Sequence, residues 1–265
     1  MATTAAENVG VKPRSMGIWA YRDYILFSVR ARLISETINN HLGMLWLALE
    51  PLMRMAVYYV VFVYLMKSKT ENFVAFMLIG IMSMMWFTKT VIQGGHSIKG
   101  AGGLLRQCYM PKTIFPTIMA LSRLVEFLCV ILVLMAYFAV TGSVHYTWVA
   151  LPAVILSQFL INFGVSLLAS AFIPLMPDLS ILINSAMTAL FFLSGVFFEV
   201  QPTSPHYKLF MLNPLAKLLE QYRWVLLHGK WPDWTALLII NGVGLIIIGI
   251  AAFFIHKFDS YYPRF

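Results

Sequence analysis

The sequence predicts an all-α membrane protein with six transmembrane helices, and three observations lead there. Hydrophobic residues make up 60% of the 265-residue chain and charged residues 11%, far from a soluble composition. The apolar residues gather into runs of spanning length: a helix rises about 1.5 Å per residue, so about 20 apolar residues cross the hydrocarbon core. Lipid offers the backbone no hydrogen-bond partner, so these runs must be helices rather than open strands.

Residues 1–14 carry no helical pattern and read as a flexible N-terminus; the first apolar run starts too late for a cleaved signal peptide. Residues 15–40 follow, with Ile18, Tyr21, Ile25, Val29 and Leu33 in steps of three and four. That spacing predicts an amphipathic helix lying in the interface plane. Arg22 and Arg30 lie off its apolar stripe and Arg32 at its edge, as candidates for lipid-phosphate contact; plain anchoring is the other reading. A membrane domain over 41–256 then takes spans at about 42–66, 73–92, 114–140, 149–176, 179–198 and 234–255. The first is interrupted by Glu50, Pro51 and Arg54, the second holds Lys89, the third Arg123 and Glu126, and the last three have no charge. Glu50 with Arg54, and Arg123 with Glu126, share a helix face and predict two self-neutralising ion pairs, a proton path being the alternative.

Two connections are organised. Gln93–Pro116 has five glycines, three basic residues and no acid. Within it Leu104–Tyr109 predicts a short helix on glycine hinges, stopped by Pro111. Lys99, Leu104, Leu105, Arg106, Gln107 and Tyr109 are its candidates for docking into a soluble partner, against the reading of an ordinary basic loop. Glu199–Asp233 holds two helix starts. Ser204-Pro205 reads as N-cap and first residue of a helix to Met211 that includes Tyr207. Asn213-Pro214 opens a second, with Leu215, Leu218, Leu219, Tyr222, Val225 and Leu226 on one face. Lys217, Glu220, Gln221 and Arg223 fall off that face, and Gly229 is a natural stop. Too short to cross, the second helix sits at the outer interface or dips partway in, where the pair caps or gates what lies below; a structured loop is the other reading. Residues 257–265 form a tail.

With the N-terminus inside, ten Lys and Arg residues fall inside and six outside, which places both termini in the cytoplasm. The net charge of +8 is explained by anionic headgroups, without nucleic acid. Cys108 and Cys129 are too few for a disulfide framework, the six histidines are scattered, and no metal site is expected. No GxxxxGK[ST] loop occurs, so the chain is not expected to hydrolyse nucleotide itself. Aromatics make up 15% of the residues. Tyr58, Tyr59, Trp86, Phe87, Phe191, Phe192, Phe197 and Phe198 cluster in or at the ends of spans, where interfacial belts and an aromatic path for sugar rings are the competing readings.

The order of parts carries a resemblance. His41-Leu42-Gly43-Met44-Leu45-Trp46 and Leu49-Glu50-Pro51-Leu52 follow the interfacial helix. Tyr109-Met110-Pro111-Lys112 leads to Ile114-Phe115-Pro116, and Leu212-Asn213-Pro214-Leu215 precedes Glu220, Arg223 and Gly229. From about Ile18 to Ile255 the chain resembles the membrane subunit of bacterial polysaccharide ABC exporters, the group serving O-antigen, capsule and wall teichoic acid. The resemblance implies a channel of two copies in the inner membrane, driven by two separate ATPase subunits that hold ATP and Mg. It implies a lipid-linked glycan as substrate, a coupling helix at Gly100–Tyr109, and outer gate helices at Pro205–Met211 and Pro214–His228. The eight aromatics then become candidates for lining the channel, and periplasmic envelope proteins possible partners. Two other readings stay open: an exporter of a drug or small lipid with the same fold, and a membrane-embedded enzyme acting on lipid-linked sugars. Asp178 and Asp259 are the only lone acids for the latter.

Overall fold

A computed structural model describes residues 21–38, 73–107, 110–140, 144–200, 203–259 and 261–262, with Trp46, Met53, Gly142 and residues 49–50, 56–57 and 60–65. All regular structure among these residues is helical. We number the elements α1 (Arg22–Ile38), α2 (Phe73–Gly95), α3 (Ser97–Gly100), α4 (Gly102–Gln107), α5 (Ile114–Val140), α6 (Leu151–Phe172), α7 (Leu179–Leu193), α8 (Tyr207–Phe210), α9 (Pro214–Leu226) and α10 (Trp234–Lys257). Val60–Leu65 is a π-helical stretch and Tyr146–Ala150 a 3₁₀ turn leading into α6. Four of these helices, α2, α5, α6 with its leading turn, and α10, are long and apolar enough to cross a membrane. Most of the first predicted span lies outside the described residues.

α2 is the centre of the fold. It is buried on nearly every side and packs against α5, α6, α7 and α9. Its partner α6 is free of charge but not of polarity: Ser157, Gln158, Asn162, Ser166 and Ser170 are all buried. Gln158, Asn162, Ser166 and Ser170 fall four residues apart, one stripe of a helix. At its middle Ser83 Oγ donates to Gln158 Oε1 at 3.0 Å, and Gln158 Nε2 donates to the Ser83 carbonyl at 2.9 Å. Between apolar helices in lipid, such bonds and small residues give packing its specificity.

Three sequence expectations change. Gly94 and Gly95 are not loop hinges; they end α2, packed on α6. A Cβ on Gly94 would lie 1.8 Å from Ser166 Oγ, so the glycine permits the two backbones to approach. The fifth predicted span, 179–198, is a helix of only 15 residues, about 22 Å long. It ends at Ser194-Gly195, where Gly195 has φ +74° and a Cβ would clash with the Phe210 ring at 2.7 Å. The first outer helix begins at Tyr207 rather than at Pro205, because Ser204 Oγ accepts from the His206 N–H only at 3.4 Å and caps no longer helix.

α1 packs on α5 through Ile25 and Val29, as the periodicity predicts. Its other side exposes Leu26, Phe27 and Ile34. At this end of the bundle a second apolar cluster joins α1 with Ile98 of α3, Leu105 of α4, the starts of α5 and the ends of α6 and α10.

Candidate functional site

Four places hold the residues singled out from the sequence. The first is a cleft of about 340 Å³ between α2 and α7, lined by Glu50, Thr88, Lys89, Asn184, Thr188, Phe191 and Phe192 among others. α7 is the least covered of the long helices: of its residues only Met187 is buried. Asn184 and Thr188, one turn apart, are exposed on a mostly apolar helix. Phe192 is 52% exposed and Phe191 half-buried, with ring centroids 5.7 Å apart. At the cleft's charged end Lys89 Nζ lies 2.5 Å from Glu50 Oε2. Glu50 therefore pairs across the fold with α2; its predicted partner Arg54 lies outside the described residues.

The remaining aromatic candidates separate sharply. Trp86 and Phe87 are 4% and 3% exposed, and Trp86 stacks on Phe127 at 4.1 Å. Phe197 is also buried, against Phe191 and Phe192. Within the chain these three rings are core. Phe198 is exposed. Tyr58 and Tyr59 lie outside the described residues.

The second place is the α7–α9 junction. Asn213 caps α9 by accepting from the Leu215 N–H at 3.0 Å, and Pro214 takes the first turn, as predicted. Its Nδ2 also donates to Ser194 Oγ at 3.0 Å. Tyr207 donates to Glu220 at 3.1 Å and joins α8 to α9. α9 does not float at a surface: beside its apolar face with Tyr222, Gln221 and Arg223 are buried too. Arg223 Nη2 donates to the carbonyls of Gly195 at 2.8 Å and Val196 at 3.2 Å, and its guanidinium lies 3.3 Å from the Phe76 ring centroid. Gln221 accepts from the Asp233 N–H at 2.7 Å. Burial lowers Arg223 to about 9, so it remains a cation at neutral pH. Burial likewise raises Glu220, against the pull of the Tyr207 hydrogen bond, and raises Tyr207. The spacing rule marked Arg223 as off the apolar face; its partners, 27 and 28 residues away, leave no local signal. Pro205 is exposed in the turn before α8.

The third place is the short helix α4. Leu104, Arg106 and Gln107 are exposed, as is Lys99 in α3. Leu105 instead points into the protein and is 7% exposed, because it completes the cluster under α1 and α5. Tyr109 lies outside the described residues.

The fourth is a chain of charges at the base of α1. Arg123 pairs with Glu126 on α5, as the spacing predicts, and also with Glu36 of α1. Arg32 joins the same carboxylate at 3.2 Å and donates to Gln93 Oε1 at 3.2 Å. Burial lowers the Arg32 pKa. Arg32 is thus engaged within the protein, whereas Arg22, beside Asp23, and Arg30 are exposed.

The comparisons agree in direction. The ABC-2 type transporter family matches residues 25–227. The O-antigen export system permease protein RfbA of Myxococcus xanthus is 25% identical over 240 residues, covering 89% of this chain and 92% of its own. Two proteins of that name from Klebsiella pneumoniae are 22% identical over 220 residues (81% and 85%) and 23% identical over 216 (80% and 83%).

Proposed function

Because the chain belongs to the ABC-2 type transporter family, we propose that it is the membrane subunit of an exporter that moves a lipid-linked polysaccharide of the O-antigen or capsule class across the inner membrane. The chain is a transporter subunit rather than an enzyme. ATP and Mg belong to two separate ATPase subunits, which dock on the exposed face of α4 from the cytoplasm. Two copies of the chain meet along α7 and the first predicted span and enclose the conduit. The names of the three relatives support the substrate class.

The observation that carries the reading is the cleft beside α7. Exposed Asn184 would be costly against lipid tails, so it faces protein or a water-filled path; Thr188, whose hydroxyl donates to the Asn184 carbonyl at 3.2 Å, lies beside it on the same face. With Phe191 and Phe192 beside them they pair hydroxyl-binding groups with flat rings, the chemistry that a passing sugar chain requires. The small Ser185 and Ala189 next to them permit close approach of a second copy.

The test is complementation of surface glycan by Asn184→Leu, Thr188→Leu and Phe192→Leu. On a lipid-facing helix Phe192→Leu keeps an apolar side chain, Asn184→Leu and Thr188→Leu gain one, and all three leave export unchanged. On a conduit each lowers surface glycan or shifts its chain length at normal protein level and ATPase association. Full export by the triple variant would remove the conduit.

A further inference from the structure

The end of α6 is held by a residue 91 positions further along the chain. α6 stops at Phe172, so the Ala171 carbonyl belongs to the last turn, whose carbonyls have no partner within the helix. Ile173 N–H donates to Ala169, and the Leu175 and Met176 N–H groups both donate to Phe172. Ala171 instead accepts from the Tyr262 hydroxyl at 2.9 Å. The Tyr262 ring is 2% exposed and belongs to the same apolar cluster as Leu105 of α4, Ile98 of α3 and Met110. Three residues earlier in the tail, the Asp259 carboxylate lies 2.7 Å from Lys112 Nζ. Lys112 stands in the segment after α4, and its side chain is only 2% exposed. The tail thus bonds the end of α6 and the stretch following α4 at once. Phe258 adds a ring contact to Phe172.

We propose that Phe258, Asp259 and Tyr262 form a clasp that fixes α4, through the apolar cluster it shares with them, against the ends of α6 and α10. Its two polar ties act at different points, on the end of α6 and on Lys112 before α5, and Leu105 of α4 sits in the apolar cluster that Tyr262 joins. The consequence for transport, that the clasp holds α4 in register for an ATPase, rests on the function proposed above.

The test uses the full chain in lipid nanodiscs, alone and assembled with its ATPase partner, with Cys108 and Cys129 replaced by serine and a spin label at Gly103→Cys, an open position of α4 outside the docking candidates. Loss of one hydrogen bond corresponds to roughly a five-fold shift in a local equilibrium. Tyr262→Phe, which keeps the ring, and Asp259→Asn should each raise the mobile fraction of the label about five-fold, and the exchange Lys112→Asp with Asp259→Lys should return it towards the original value. Unchanged label mobility in both single variants overturns the clasp. Should Asp259→Asn fail to fold, Tyr262→Phe still decides. ATP-driven export separates the two ideas: a mobile label with normal export per ATP keeps the clasp and refutes docking at α4. An immobile label with lost export refutes the clasp alone.

Discussion

Arg123 is the cation most constrained by its surroundings. It is buried inside α5 and serves two carboxylates, Glu126 one turn on and Glu36 from α1. Removing one member of a buried pair leaves its partner uncompensated and costs about 3–5 kcal/mol. Arg123→Gln should therefore lower the thermal unfolding midpoint strongly. Glu36→Gln, at a half-exposed carboxylate whose loss leaves Arg123 with Glu126, should cost only about 0.5–1 kcal/mol. Midpoints of both variants equal to that of the unsubstituted protein would show that the network carries no stability. Asn162 makes the opposite case. Its buried amide has no hydrogen-bond partner among the described residues. Replacing an unsatisfied buried polar group by an apolar one of similar shape is neutral or stabilising. Asn162→Leu should leave the midpoint unchanged or raise it, and a fall would mean that the amide is bonded in the assembled complex.

At the scale of elements, α7, its closing turn, α8 and α9 behave as one piece. The Asn213–Ser194 bond, the Tyr207–Glu220 bond and the Arg223 guanidinium tie them together across 19, 13 and 28 residues. Arg223 contributes most, because a planar fork donates to carbonyls while its face lies on an aromatic ring. Arg223→Met removes both donations and leaves two carbonyls in the turn unpaired. Amide exchange over residues 194–200 should speed up about ten-fold, the equivalent of about 1.4 kcal/mol of local stability, while α6 stays protected. Arg223→Lys keeps the charge without the fork and should fall between. If exchange in the turn is the same in all three proteins, the guanidinium does not hold it.

For the whole molecule the open variable is orientation. Excess Lys and Arg predicts that the end bearing α3 and α4 faces the cytoplasm and the α8–α9 end faces outward. Ser97 is a poor reporter because it is buried, so silence there would have two causes. Lys99 and Ser204 are accessible on the two ends. With native cysteines replaced, Ser204→Cys should react with an impermeant thiol reagent applied from outside, and Lys99→Cys only after the membrane is opened. Labelling of Lys99→Cys in intact inner membranes reverses the topology and, with it, the placement of the ATPase.

Much of this architecture was legible in the residues because it depends on neighbours. The apolar runs predicted α2, α5, α6 and α10 within a few residues, the three-and-four spacing predicted α1, and Asn213-Pro214 predicted the start of α9. The Arg123–Glu126 pair was readable for the same reason: one turn of helix brings its members together. What the sequence by itself determined is thus the class, the main spans and the contacts closed within a turn. Tertiary structure alone decided the rest. Lys89 meets Glu50 across 39 positions, Glu36 meets Arg123 across 87, and Tyr262 meets Ala171 across 91. It also decided that α7 stops at Leu193, before the turn at Gly195, that Trp86 and Phe87 are core, and that α9 is buried around most of its surface. Helix periodicity states which residues share a face, but only packing states what that face meets.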